Sequence, residues 1–331
     1  MTGAALVAAN GARTLRARRD TVLPALIFLA FALLPVFAAL TAEEYLLDSA
    51  TRIMVFAVAA VALDLLVGYC GLISFGHAAF IGLGAYAVGI LSAEGIGDAL
   101  VALPVAIVVS MLFAWITGIV CLRTKGVYFI MITLAFGQMV YFVATSLAPY
   151  GGDNGLTVAA RSTIAGFALL KSDRAFYYFT LLCLAATYLL CRALIASRFG
   201  RVLRGARENA TRMATIGFTI RRFQLVAYVI AGGLGGLSGF LLGNSTEFVS
   251  PEYMSWQRSG ELIVMVILGG VGTLDGAIVG SAAYLFAEEW LSSTFESWQV
   301  IFGPLIVLVV LFARGGLIGL TTQLWRRFGH A

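Results

Sequence analysis

Lysine is nearly missing from this chain. Only Lys125 and Lys171 contribute to its 22 basic residues, so arginine carries almost all of the positive charge. Charge of either sign is scarce, at 12% of residues, where a soluble domain has about 25%. Cysteine is limited to Cys70, Cys121, Cys183 and Cys191, all within or beside apolar runs, which excludes a disulfide framework in short extracytoplasmic loops. No Gly-x-x-x-x-Gly-Lys-Ser/Thr sequence occurs, which excludes a P-loop nucleotide site. Histidine occurs only twice.

What is abundant defines the class. Hydrophobic residues make up 60% of the chain, against about 45–50% in a soluble domain. The 37 glycines suit closely packed membrane helices. The composition predicts an all-α polytopic membrane protein. The formal charge of +5 comes from arginines beside apolar segments, where they set topology, and does not indicate nucleic-acid binding.

A span needs about 20 apolar residues. Ten segments qualify, some of them short or broken: 22–40, 50–68, 76–93, 99–122, 127–148, 175–195, 223–243, 259–272, 274–291 and 298–313. The first 20 residues hold Arg13, Arg16, Arg18 and Arg19 but are followed by no evident cleavage site, so 22–40 is expected to be a retained span. The basic residues orient the set. Arg123 and Lys125, the run from Arg192 to Arg222, and Arg314, Arg326 and Arg327 belong inside; Glu43, Glu44, Asp48, Glu288, Glu289 and Glu296 belong outside. This gives a cytoplasmic segment 1–21, a membrane domain 22–313 and a cytoplasmic tail 314–331, with both termini cytoplasmic. Loop 149–174 falls outside and loop 196–222 inside. Segment 259–272 precedes Gly269-Gly270-Val271-Gly272 and is expected to cross as a short helix, since otherwise the C-terminal arginines end up outside.

Three regions carry candidate function. The stretch from Gly68 to Gly84 holds five glycines around His77. Glycine costs roughly 1 kcal/mol against alanine inside a helix, so this density points either to tight packing or to a transport pathway with a helix start or break at Gly76 and Gly82–Gly84. Within loop 196–222, residues Glu208 to Ile216 are predicted helical with Gly217 as the stop. Val202, Leu203, Ala206, Ala210 and Met213 form one apolar stripe, suited either to anionic lipid or to a protein groove. Gly151-Gly152-Asp153-Asn154-Gly155 is predicted to be a turn at an outer mouth.

Polar groups inside spans are costly and face protein or water. Asp64, near the inner end of the second span, is either bonded to a neighbouring helix or a pathway residue. Asp275 is expected to start the ninth span, where an acid suits the helix dipole. Gln138 shares the fifth span with Tyr128, Thr133 and Tyr141 and either bonds a neighbouring helix or meets passing solute. Arg52 and Glu261 fall near outer span ends. An ion-coupled secondary transporter using Asp64 and His77 is the competing class. An aspartyl hydrolase pairing Asp64 with Asp275 is disfavoured, since neither lies in a Gly-x-Gly-Asp motif.

Several segments, in order over roughly residues 50–320, resemble the branched-chain amino acid ABC transporter permease family. They are Gly68 through Phe80, Gly126-Val127-Tyr128-Phe129 through Ala135, Gly151 through Leu156, Arg207-Glu208-Asn209 through Gly217, Leu268 through Thr273, and Leu311 through Leu317. The family often has Asn where this chain has Asp64, and an acidic residue where it has Ala210. The resemblance implies a non-enzymatic permease subunit of the bacterial inner membrane. It implies a second related permease, two cytoplasmic ATPases that hold ATP and magnesium, a periplasmic solute-binding protein and surrounding lipid as partners. No cofactor is then bound by this chain, and nucleic acid is not a partner. Arg207, Glu208, Asn209, Arg212 and Gly217 would form the ATPase coupling loop. Gly76, His77, Gly82, Gly84, Tyr128, Thr133 and Gln138 would line the pathway, and Asp153 and Asn154 would meet the binding protein. The spans carry hydroxyls, glycines and aromatics and few charges, which suits a small amphiphile. Branched-chain or other aliphatic amino acids are the family default.

Overall fold

Apolar runs of about 20 residues become helices because each backbone group is then satisfied within its own segment. In the computed structural model, residues 22–38, 45–167, 169–295, 300, 302–304, 307 and 315–319 are described. Helix α1 is Val22–Ala38. The rest follow as α2 (Tyr45–Asp64), α3 (His77–Ala93), α4 (Ala99–Cys121), α5 (Val127–Ser146), α6 (Asp173–Ala196), α7 (Arg198–Glu208), α8 (Ala210–Thr215), α9 (Ile220–Thr246), α10 (Trp256–Gly269) and α11 (Leu274–Thr294). The all-helical, multi-pass class expected from composition is what is found.

Among the described residues, five helices are long and apolar enough to cross a membrane: α2 with its continuation to Cys70, α4, α5, α6 and α9. They match the expected spans at 50–68, 99–122, 127–148, 175–195 and 223–243. The segments expected at 22–40 and 76–93 are apolar helices of 17 residues each, α1 and α3. The short helix expected at 259–272 is α10. Helix α10 has 14 residues, about 21 Å at 1.5 Å per residue, and falls short of the ~30 Å hydrocarbon core. It is bent by 116° from α11 across Gly270–Thr273, making one broken pair. Most of 298–313 lies outside the described residues, as do 1–21 and 320–331.

The division of the chain places Met1–Ala50 in one unit and Thr51–Ala331 in the other. Within the second, α3 and α4 both pack on α9. Glycine makes this possible at the crossing of α3 and α9, where a Cβ on Gly84 would run into the Gly236 carbonyl. Ser238 of α9 donates to the Val55 carbonyl of α2 at 2.8 Å. An aromatic group of Phe80, Phe113, Phe129 and Tyr228 fills the space among α3, α4, α5 and α9. Burial separates the helices: in an 18-residue apolar window 89% of α2 is buried, against 28% of α4, 22% of α5 and 33% of α6.

The connecting loops sort by side. Loop 94–98 meets 149–174 through Ala99 N–H to Thr163 O, 2.7 Å, and Tyr150 to Glu94, 3.2 Å. Loop 149–174 meets 244–258 through the two-residue antiparallel strands β1 (Leu156–Thr157) and β2 (Phe248–Val249), with Ser162 N–H on Asn244 Oδ1 at 2.8 Å. Loop 149–174 was expected outside. Loop 196–222, expected inside, meets 69–76 and 270–273 at the opposite end.

Candidate functional site

Two short connecting segments pack on α3 and α5. Residues 71–76 leave the inner end of α2, and 250–255 leave the outer end of α9. Phe75 N–H donates to Thr133 Oγ1 at 3.2 Å, and a Cβ on Gly76 would strike the Thr133 carbonyl. Ser259 Oγ, at the start of α10, accepts from the Ala78 N–H at 3.1 Å. Met254 fills the space beside Gly82. Ser74, His77, Thr133 and Ser259 are all buried here.

The structure packs Gly76 on Thr133 of α5, while His77 and Gly82 lie along α3. Gly76 precedes the first turn of α3, the helix start expected there. Gly82 and Gly84 lie inside α3 and mark no break; they are contact points for Met254 and α9. His77 faces protein. Its ring stacks edge-on to Phe80 with centroids 5.4 Å apart and lies beside Gly235. The Ala59 carbonyl is near enough to act on it electrostatically, but neither nitrogen meets hydrogen-bond geometry among the described residues. Tyr128 is 73% exposed at the start of α5, and Gln138 is half-buried further along it; neither joins the cluster. Asp153 and Asn154 are exposed in a short 3₁₀ turn, Gly152–Asn154, as the turn residues predict.

The single helix expected from Glu208 to Ile216 is corrected. Helix α7 ends at Glu208, Asn209 is extended, and α8 begins at Ala210. Asn209 is a strong helix-capping residue, and its Oδ1 accepts from the Arg212 N–H at 2.9 Å. The apolar stripe divides accordingly: Val202, Leu203 and Ala206 are buried on α7, while Ala210 and Met213 are not buried. Met213 turns back onto Gly205. Gly217 ends the second helix with φ +99°, as expected.

At its inner end α2 changes to a π-helix over Leu65–Cys70. Asp64 is fully buried and accepts from the Gly272 N–H at 2.7 Å. Tyr69 Oη donates to the Gly272 carbonyl at 2.9 Å. Arg207, the last-but-one residue of α7, donates to the Gly68 carbonyl. Its stem lies against Gly71. The segment 315–319 packs on the same break, with Gly316 against the backbone of Gly269 and Gly270. A cavity of about 550 Å³ opens beside these groups, lined by Tyr69, Arg204, Arg207, Glu208 and Gly272 among others. Asp275 begins α11 as expected and accepts from Tyr188 at 2.7 Å. No hydrogen bond joins Asp64 to His77 or to Asp275 among the described residues. Sequence reasoning named Asp64 and Arg207 separately and missed Tyr69 and Gly272 as their partners. The spacing of Asp64, Gly68 and Tyr69 was the available signal.

At the outer ends of three helices, Arg52 pairs with Glu288 at 3.7 Å and Arg258 with Glu261 at 2.8 Å. These charges from α2, α10 and α11 gather on one side of the bundle.

Long apolar helices, a broken helix pair and a basic two-helix loop define a multi-pass membrane protein. Comparison with known proteins gives the particular kind. Residues 45–312 match the family described as branched-chain amino acid transport system / permease component, and the chain belongs to that family. It is 26% identical over 309 residues to the high-affinity branched-chain amino acid transport system permease protein LivM of Salmonella typhimurium, covering 86% of this chain and 72% of that one. It is 25% identical over 298 residues to the LivM protein of Escherichia coli, covering 83% and 70%. No solved structure matches. The chain is therefore a permease component of an ABC transporter, a non-catalytic multi-pass protein of the bacterial inner membrane.

Proposed function

We propose that this chain forms, with a second related permease, the path by which an importer moves a small amphiphilic solute into the cell. Branched-chain or other aliphatic amino acids are the solutes that fit best. A periplasmic binding protein delivers the solute near Asp153 and Asn154, and two cytoplasmic ATPases bind ATP and magnesium. Both termini are cytoplasmic. The solute passes near the point where Gly76 meets Thr133, beside His77, with Gly82, Gly84, Gln138 and Tyr128 on the flanking helices. Helices α7 and α8 rest on an ATPase through Arg207, Glu208, Asn209 and Arg212.

The family match carries this reading. The burial of hydroxyls and glycines at the meeting point supports it, since a path with few fixed charges releases its cargo easily. The test is reconstitution with the candidate ATPases, second permease and binding protein in liposomes. Uptake of labelled leucine, isoleucine or valine should require internal ATP and the binding protein. Proton-driven uptake by this chain alone, with no ATPase copurifying, would overturn the assignment. A panel of amino acids, amides and aromatic acids titrated into the binding protein fixes the solute.

A further inference from the structure

The proposal rests on the coupling role given above to α7. We infer that α7 acts on the path through a clasp made by Arg207, the π-turn of α2 and Gly272, with Asp64 and Tyr69 as positioning residues. The argument starts from helix geometry. In an α-helix each residue turns about 100°, so side chains five apart point roughly 140° away from each other. The i→i+5 turn of a π-helix brings residue i+5 back toward residue i. The switch from α to π after Asp64 therefore returns Tyr69 to the face of Asp64, and the two side chains take opposite ends of one peptide residue. Asp64 accepts from the Gly272 N–H, and Tyr69 donates to the Gly272 carbonyl. Gly68 lies between them, and a Cβ there would strike both Asp64 Oδ1 and the Gly272 backbone.

The same turn supplies the handle for α7. The last carbonyls of a helix have no partner within it. Leu66 O is taken by the N–H groups of Gly71 and Leu72, while Gly68 O accepts from Arg207 of α7. A cation at a helix C-terminus is also favoured by the helix dipole. Asp64 lies within electrostatic reach of the same guanidinium. Displacing α7 therefore displaces the inner end of α2 and, through Gly272, the break between α10 and α11. Those elements adjoin the meeting point beside Ser259. Asp64 makes only one of its two oxygens useful: Oδ2 has no hydrogen-bond partner among the described residues. An asparagine keeps the oxygen that matters.

The test uses the full complex with ATPases and binding protein in nanodiscs, reading the ratio of hydrolysis with liganded binding protein to hydrolysis without it. Asp64→Leu and Arg207→Ala should each lower that ratio by about fivefold or more, the lower range of a typical coupling free energy. Asp64→Asn should hold it within about twofold. The double variant Asp64→Leu, Arg207→Ala should be no worse than the more severe single one, because both break one linkage. Arg207→Ala lies outside the membrane and keeps the test open if Asp64→Leu fails to assemble. A complex that assembles and is stimulated normally with Arg207→Ala, or losses that multiply in the double variant, would overturn the clasp while leaving the transporter reading intact. Failure of the wild-type chain to assemble with any ATPase would instead remove the transporter reading itself.

Discussion

The two ends of α2 are fastened to the same α10–α11 pair by opposite means. At the outer end Arg52 reaches Glu288 across 3.7 Å with nearly half of the arginine side chain exposed. At the inner end Asp64 and Tyr69 hold both polar groups of Gly272, and the aspartate is sealed from solvent. A part-exposed ion pair is worth about 0–1 kcal/mol and weakens with salt. A buried hydrogen bond to backbone tolerates one geometry, and breaking it strands a desolvated group at about 1–3 kcal/mol. The ion pair at the exposed end tolerates a range of geometries, and the backbone-bonded end fixes position. In this chain, glycine-lined backbone contacts set where segments meet.

That contrast fails first at Gly68. Replacing it with leucine places a side chain where Asp64 Oδ1 and Gly272 now lie. Overpacking of this kind costs roughly 1–3 kcal/mol before any lost hydrogen bond is counted. The thermal midpoint of the purified protein in detergent should fall clearly; an unchanged midpoint would show that the inner end is loosely packed. Ser238→Ala probes a neutral bond at mid-helix, removing the donor to Val55 O. It should cost about 0.6 kcal/mol, the typical value for an interhelical bond in a membrane protein, read as a small shift of the same midpoint. Arg52→Gln should have the smallest effect, about 0.5 kcal/mol or less, and should matter less in high salt. A loss as large as that of Gly68→Leu would reverse the comparison.

The sequence made much of this legible, though not the contacts. Helices stand where long apolar runs predicted them, and Gly217 and Asp275 stand at the helix ends their types suggest. The break at Gly269–Gly272 was visible as a glycine cluster. Its meaning was hidden, because its partner Asp64 is 208 positions away and no local period links the two. The π-turn was hidden for a related reason. It changes the face on which Tyr69 lies without changing the apolar character of Leu65–Cys70. The split between α7 and α8 was closer to readable, since Asn209 is a better cap than a helix-interior residue. The stripe of Val202, Leu203, Ala206, Ala210 and Met213 concealed it by continuing across the break. Of the expected path residues, Gly76 packs on Thr133, whereas His77 turns to Gly235 of α9. Tyr128 and Gln138 share a helix with Thr133, but Tyr128 lies on its exposed surface and Gln138 is only partly covered.

The claim that α7 and the α10–α11 break move as one body is tested most directly by distance. Spin labels at Arg201→Cys on α7 and Val271→Cys in the break report it in the reconstituted complex by pulsed electron resonance. The clasp predicts one narrow distance distribution that stays in place when ATP is added. A second population, or a shift of about one helical turn (~5 Å) on nucleotide binding, would contradict it.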